Sequence, residues 1–214
     1  MRRRRGRLAT QSNRSCCSRR SLGWKTASPT SLRARARAPA RFALVGRSYG
    51  GNLAMEIALA APARVIALWL MGCDPAAPHA GGSDLVGRLE AAPDAVFDLL
   101  AGLVVHKAAV TQAATFKAMA KRVGGSAGAA QARALGVRRE KSSRLSALTM
   151  PAFVLWGNED ALVPVAIGRA LAAALPQAQF EVFEGCGHLP TLETPVESAA
   201  SFTRFLSAAV AQEH

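Results

Sequence analysis

The sequence predicts an α/β fold with a mostly parallel sheet, and two observations lead to this prediction. Short apolar runs, typical of strands that are buried on both faces, alternate with stretches of helical periodicity. The first run, Phe42 to Val45, is followed by a helical pattern that ends near Ala61 and then by a second run, Val65 to Gly72. A strand, a helix and another apolar strand form the βαβ unit of parallel sheets.

The composition divides the chain into a basic arm, residues 1 to 41, and a neutral domain, residues 42 to 214. The arm holds 13 of the 27 Lys and Arg residues and no acidic residue, whereas the 14 basic and 14 acidic residues of the domain cancel. A run of like charges repels itself and has little to bury, so we expect the arm to be disordered. The domain is long enough to build one hydrophobic core.

Three interpretations of the basic arm remain open. A nucleic-acid-binding tail fits because Lys and Arg neutralise phosphates, and an organelle transit peptide fits because such peptides are rich in Arg and Ser and poor in acids. The third is a misplaced start or a shifted reading frame in GC-rich DNA, which would replace strands of the fold by a basic sequence. A twin-arginine export signal is excluded because no apolar segment follows the arginines.

The apolar runs and the cysteines indicate a soluble protein of a reducing cytoplasm. The longest apolar run, Val65 to Cys73, is far shorter than the ~20 residues of a membrane-spanning helix. The chain has four cysteines, at positions 16, 17, 73 and 186. They lack CxxC spacing, and four cysteines form too few disulfide bonds to stabilise a chain of this length. We therefore expect neither a zinc ribbon nor a disulfide scaffold, and we expect Cys73 and Cys186 to be packing residues.

Residues 74 to 148, called the insertion below, form an Ala-rich block with no strand pattern. Helical periodicity extends from Asp94 to Val105 and from Lys107 to Val123, and Gly124 to Ser126 suggests a flexible connection to further helical turns. The sequence therefore predicts a helical insertion between two strands of the sheet.

The α/β pattern resumes after Pro151. The sequence predicts a strand from Ala152 to Trp156, a helix between Pro164 and Pro176, and a strand from Gln179 to Glu184. A last helix is predicted after Thr194, because proline occupies the first helical position and Thr-x-x-Glu forms a capping box.

Ser48 stands between the first strand and its helix in the pattern Gly46-x-Ser48-x-Gly50. Small neighbours allow a strained turn that lifts the serine hydroxyl out of the sheet. A serine nucleophile needs a histidine to take its proton and a carboxylate to orient the histidine ring. Asp160 and His188 both follow predicted strands, and Ser, Asp, His is the chain order expected for this arrangement.

Other residues remain alternatives for parts of this site. Glu159 and Asp74 also follow predicted strands, so either could replace Asp160 as the acid. The remaining histidines lack the spacing of metal ligands, so we expect no metal site; they are His79, His106 and His214.

These motifs resemble the α/β-hydrolase superfamily, in particular its lid-bearing, esterase-like members. The resemblance is carried by Leu44 to Gly51, Val154 to Asp160 with Val163 and Pro164, and Gly187 and His188 with Glu193 to Pro195. It implies that Ser48 is the nucleophile, Asp160 the acid and His188 the base, and that the backbone N–H of Tyr49 is an oxyanion donor. It also implies that the insertion is a lid over an acyl pocket.

The resemblance implies a serine hydrolase that cleaves a small-molecule carboxylic ester or related acyl compound through an acyl-Ser48 intermediate, without a cofactor. A serine nucleophile points away from the epoxide hydrolases and dehalogenases of the same fold. Family members carry further strands and a second oxyanion donor before the nucleophile, and we expect these N-terminal strands to be missing because the arm has no apolar runs. Two alternatives follow: a catalytically impaired or dead remnant of the fold, and a nucleic-acid-binding protein that uses the arm.

Overall fold

The structure is a computed structural model that describes residues 41–78 and 84–211. The predictions made for the basic arm, for His79 and for His214 lie outside these residues. Among the described residues, no helix combines the length and the apolar character that a bilayer crossing requires.

Four parallel strands form one sheet in the order β1-β2-β3-β4. They are β1 (Phe42–Arg47), β2 (Val65–Met71), β3 (Ala152–Gly157) and β4 (Ala178–Phe183). The two central strands are almost entirely buried, which explains why their sequences are continuous apolar runs. The parallel sheet predicted from the sequence is confirmed, and β1 lies at one edge of its described part.

Eight α-helices lie within the described residues. They are α1 (Tyr49–Ala60), α2 (Leu85–Ala91), α3 (Pro93–Leu103), α4 (Val110–Val123), α5 (Gly125–Gly136), α6 (Val165–Ala174), α7 (Pro190–Glu193) and α8 (Pro195–Ala211). Short 3₁₀ turns cover Pro62–Arg64 and Ser142–Ala147. Helices α2 to α5 belong to the insertion between β2 and β3, whose described residues contain no strand.

The side chains of β2 and β3 alternate between two hydrophobic cores, one on each face of the sheet. Leu70 and Val154 belong to the core that also contains residues of α1 and α6. Trp69 and Phe153 belong to the other core, where Phe205 of α8 stacks on Phe153. This period of two places helices on both faces, as the βαβ pattern predicts.

The insertion departs from the predicted helices at several points. Helix α2 was not predicted, and α3 ends at Leu103 and not at Val105. Helix α4 begins at Val110 and not at Lys107, because residues 106–109 form a turn in which Ala109 N–H donates to the His106 carbonyl at 2.8 Å. The glycine segment is not a flexible connection but a helix boundary. Gly124 ends α4 with a φ of 83°, and α5 begins at the next residue.

The C-terminal elements follow the predicted order with small shifts. Strand β4 begins one residue earlier than expected, at Ala178, and α8 begins at Pro195 as expected. The single-turn helix α7 was not predicted. The hydroxyl of Thr194, predicted to cap α8, donates to the carbonyl of Pro190 at 2.9 Å because α7 ends directly before it.

We predict that Gly168→Ala lowers the free energy of unfolding by about 1–3 kcal/mol, because overpacking a filled core forces neighbours to move. Gly168 of α6 lies so close to the indole of Trp156 that a Cβ would overlap it. The indole is fixed, since its N–H donates to the Val163 carbonyl at 2.8 Å. The control is Gly102→Ala in α3, where a Cβ meets no atom within 4 Å. Denaturant unfolding compares the two variants, and equal effects would contradict the packing of α6 on β3.

Candidate active site

Ser48 lies in the turn between β1 and α1, with its backbone at φ 51° and ψ −121°. It is the only residue other than glycine with a positive φ among those described. Such a conformation costs on the order of 1–3 kcal/mol and persists only where the surrounding structure enforces it. Here the Ser48 N–H donates to the Met71 carbonyl at 2.8 Å, and the Ser48 carbonyl accepts from Gly51 and Asn52 N–H at 3.0 and 3.2 Å. The strained turn predicted from the sequence is present.

Two of the three glycines around Ser48 are required by close contacts. A Cβ at Gly46 would overlap the backbone of Gly50, so β1 and α1 can meet only if position 46 has no side chain. A Cβ at Gly51 would lie 2.6 Å from Sγ of Cys73. A Cβ at Gly50 meets no atom within 4 Å. The turn therefore depends on Gly46 and Gly51, whereas Gly50, the last position of the Gly-x-Ser-x-Gly pattern, has room for a side chain.

Asp160 and His188 form a buried pair at the carboxyl end of the sheet. His188 Nδ1 lies 2.7 Å from Oδ2 of Asp160, and both side chains are almost fully buried. The other carboxylate oxygen, Oδ1, accepts the N–H groups of Leu162 and Val163, both at 2.9 Å. The carboxylate is therefore held by its own loop on one side and orients the imidazole on the other.

The two alternative acids contact other groups. Oε2 of Glu159 lies 3.0 Å from Nε2 of His106. Asp74 accepts the N–H of Ala76 at 2.9 Å, and its other oxygen lies 3.9 Å from the Arg138 guanidinium. Of the three carboxylates considered, the structure places Asp160 against His188.

Gly72, which follows Met71 at the end of β2, lies against the His188–Asp160 pair. A Cβ at Gly72 would lie 2.8 Å from Nδ1 and Cε1 of His188, so the imidazole packs on this glycine. Since the Ser48 N–H is bonded to the Met71 carbonyl, the Ser48 turn and the imidazole of His188 each contact the end of β2, at residues 71 and 72. In the described part of the chain no hydrogen bond joins the Ser48 hydroxyl to His188.

Tyr49 and Arg47 flank Ser48 in the chain, one at the start of α1 and the other at the end of β1. Tyr49 is the first residue of α1, so its N–H belongs to the unpaired donors of a helix N-terminus, which carries partial positive charge. Arg47 ends β1 and is partly buried. Burial lowers the pKa of Arg47 from its usual value, and attraction to Asp160 opposes this shift. Sequence analysis did not single out Arg47; a charged residue directly before the predicted nucleophile was the available signal.

The carboxylate of Glu193 organises the loop that carries His188. Its Oε2 accepts the N–H of His106 at 2.6 Å and that of Gly187 at 3.0 Å, and its Oε1 accepts the N–H of Leu189 at 3.0 Å. Two of these donors are the residues on either side of His188. Sequence analysis included Glu193 only as part of the family resemblance, because its partners depend on the fold.

The insertion lies directly against the His188 loop. The His188 N–H donates to the Val104 carbonyl at 3.1 Å, and a Cβ at Gly187 would lie 2.7 Å from the backbone N of His106. The connection between α3 and α4 therefore covers this side of the candidate site.

The two described cysteines are buried thiols next to the site. Burial raises the pKa of Cys73 to about 12, with a smaller contribution from Asp74, and it raises the pKa of Cys186 to about 12, with help from Glu193. Thiols with so high a pKa are weak nucleophiles at neutral pH. Within residues 41–78 and 84–211, no group of three or more His, Cys, Asp or Glu side chains is placed to hold a metal ion.

Sequence comparison relates the chain to hydrolases. It is 30% identical over 158 residues to 2-hydroxy-6-oxononadienedioate/2-hydroxy-6-oxononatrienedioate hydrolase 1 of Dechloromonas aromatica, a match that covers 68% of this chain and 55% of that protein. The chain thus spans about half the length of this relative.

Comparison with solved structures identifies the same fold. A thermophilic esterase from Thermogutta terrifontis superposes with a TM-score of 0.76 at 23% identity, over 79% of this chain and 66% of the esterase. The meta-cleavage product hydrolase of Pseudomonas fluorescens superposes with a TM-score of 0.63 at 18% identity, over 82% and 66% of the two chains. The model of the alpha/beta hydrolase family matches residues 12–201, a span that begins inside the basic arm. The chain belongs to the alpha/beta hydrolase family.

Proposed function

We propose that this protein is a serine hydrolase that cleaves carboxylic esters or related acyl compounds through an acyl-Ser48 intermediate. The observation that supports this most strongly is the buried His188–Asp160 pair, 2.7 Å apart, at the same end of the sheet as the strained Ser48 turn. Similarity to a relative named as a hydrolase supports hydrolysis over binding alone.

The pair supports a role for His188 as general base. With Asp160 facing Nδ1, the ring carries its proton on that nitrogen and leaves the Nε2 lone pair free to accept. Nε2 takes the proton of the Ser48 hydroxyl as its oxygen attacks the substrate carbonyl. The imidazolium that forms is stabilised by Asp160 and then protonates the leaving group.

The N-terminus of α1 is suited to stabilise the oxyanion that forms on the substrate carbonyl. The Tyr49 N–H follows directly after Ser48, and the helix end adds partial positive charge. In the second half of the reaction, His188 removes a proton from water, whose oxygen attacks the carbonyl carbon of the acyl-Ser48 ester. The bond between the acyl group and the Ser48 oxygen then breaks, His188 returns the proton to that oxygen, and the acid is released.

The insertion is suited to act as the lid of this site. It contacts the His188 loop through Val104 and His106, and it places a small hydrophobic cluster of Val104, Val105 and Leu189 next to His188. Apolar groups that exclude water strengthen electrostatic stabilisation of a transition state.

We predict that Ser48→Ala and His188→Ala each reduce hydrolysis of p-nitrophenyl butyrate by on the order of 10⁴- to 10⁶-fold, since triad members act as a unit. For the same reason the double variant should lose little more than either single variant. Ser207→Ala, an exposed serine of α8, is the matched control and should keep full activity. Activity that survives Ser48→Ala in a purified preparation would contradict the proposal.

We predict that Glu193→Gln lowers kcat by about 10- to 100-fold with little change in KM. The substitution should displace His188, and even a small displacement of a catalytic group strongly reduces the rate of the chemical step. A carboxamide has one acceptor oxygen, so it cannot accept from all three N–H groups, those of His106 and of the two residues that flank His188. The free energy of unfolding should also fall, by about 1–3 kcal/mol.

The matched control for this prediction is Glu197→Gln, an exposed glutamate of the neighbouring helix α8. Steady-state kinetics and denaturant unfolding of both variants decide the outcome. If Glu193→Gln matches Glu197→Gln in kcat, the His188 loop is held by other contacts.

A further inference from the structure

Lys141, at the end of the insertion, is a buried cation that the proposed mechanism does not use. Only 1% of its surface is exposed, and it lies between α5 and the 3₁₀ turn that leads back to the sheet. A buried charge is strongly unfavourable unless the surrounding groups compensate it. The contacts of its ammonium group therefore indicate what the residue does.

The Lys141 ammonium reaches from the insertion to helix α1. It donates to the carbonyl of Arg139 at 2.8 Å and to Oδ1 of Asn52 at 3.3 Å, and it lies 3.4 Å from Oε1 of Glu56. The Glu56 side chain is 40% exposed, so solvent screens that ion pair. The contact with Asn52, which is itself 5% exposed, lies in the protein interior.

Asn52 links this ammonium to the Ser48 turn. Because an ammonium group can only donate, it requires the amide oxygen of Asn52 on its side and leaves the amide nitrogen on the other. That nitrogen lies 3.5 Å from the Ser48 carbonyl, which also accepts the Asn52 backbone N–H at 3.2 Å. The residues at positions 48, 52 and 56 share one face of the helix. Lys141 therefore contacts α1 on the face that carries Ser48, one helical turn after the strained turn.

The backbone of Lys141 also joins the two ends of the insertion. We call this junction, residues 75–76 and 138–141, the base of the insertion. Its N–H donates to the carbonyl of Pro75 at 2.9 Å, and the guanidinium of nearby Arg138 donates to the carbonyl of Ala76 at 2.9 Å. The first and last segments of the insertion are thus joined at the point where the ammonium group meets α1.

We propose that Lys141 is a positioning residue, which fixes helix α1 to the base of the insertion and, through Asn52, holds the Ser48 turn in its reactive conformation. This inference rests on the proposed function, in which Ser48 is the nucleophile. Since the ammonium group contacts no reacting atom, its loss should affect the chemical step and leave ground-state binding of substrate nearly unchanged.

The test uses Lys141→Met, which keeps the length of the side chain and removes its charge and donors. Because Lys141→Met leaves the buried Oδ1 of Asn52 without this donor, we expect the variant to unfold at a lower temperature than the wild-type protein, and kinetics are measured well below that temperature. We expect kcat for p-nitrophenyl acetate to fall about 10- to 100-fold with KM nearly unchanged, as for a misplaced catalytic group. The matched control is Lys121→Met, a 45% exposed lysine of the insertion, which should keep the wild-type kcat.

A double-variant cycle separates positioning from packing. If Lys141 acts through Asn52, Asn52→Leu alone should lower kcat to a similar extent. Adding Lys141→Met to Asn52→Leu should then lower kcat only slightly further. If Lys141 only packs the insertion, the fold-reductions of kcat in the two single variants should multiply in the double variant, which would overturn the inference. Should Lys141→Met not fold, Asn52→Leu still decides the question, because an unchanged kcat would contradict the link to Ser48.

Hydrogen exchange gives a readout that does not depend on activity. Lys141→Met should increase amide exchange in residues 49–60 of α1, while Lys121→Met should not. If the wild-type protein does not hydrolyse the ester, the proposed function fails, and the exchange of α1 alone decides whether Lys141 fixes the helix. Equal exchange in the two variants would overturn the inference.

Discussion

The backbone conformation of Ser48 is the constraint on which the rest of the site depends. A φ of 51° is unfavourable for a residue with a side chain, by on the order of 1–3 kcal/mol, so the surrounding structure must enforce it. It does so through the contact between Gly46 and α1, which only glycine permits, and through the hydrogen bond from the Ser48 N–H to Met71 on the neighbouring strand. Both supports require β1, β2 and α1 to be packed rigidly, which the parallel sheet and its two cores provide. The same end of β2 then carries Gly72, whose lack of a side chain lets the imidazole of His188 approach.

The insertion is joined to both halves of the candidate site by partly or fully buried polar contacts. On one side, Glu193 binds the backbone of His106 together with the residues that flank His188. On the other side, Lys141 binds Asn52 of α1 beneath Ser48. Polar groups in the interior are favourable only when each has its partner, so these contacts strongly restrict the position of the insertion. The insertion therefore covers the candidate site and also connects the segments that hold Ser48 and His188.

The strands and the Ser48 turn could be predicted because their signals are local. β2 and β3 are continuous apolar runs, and the small residues around Ser48 indicate a tight turn wherever they follow a strand. The contacts of Glu193 and Lys141 could not be predicted, since they join residues 87 and 89 positions apart. A lysine in a polar segment normally has an exposed side chain, so nothing in the sequence marks Lys141 as buried. The late start of α4 has the same origin, because Glu193 binds the N–H of His106 and stabilises the turn before the helix.

The central claim is that His188 activates Ser48 as a nucleophile, and covalent labelling tests it most directly. A fluorophosphonate reacts with an activated serine, and peptide mass spectrometry identifies the residue that carries the adduct. The account predicts one adduct per chain, on the peptide that contains Ser48, formed rapidly by the wild-type protein and at least about 1000-fold more slowly by His188→Ala. Labelling at another residue, or labelling of Ser48 at the same rate in His188→Ala, would contradict the account.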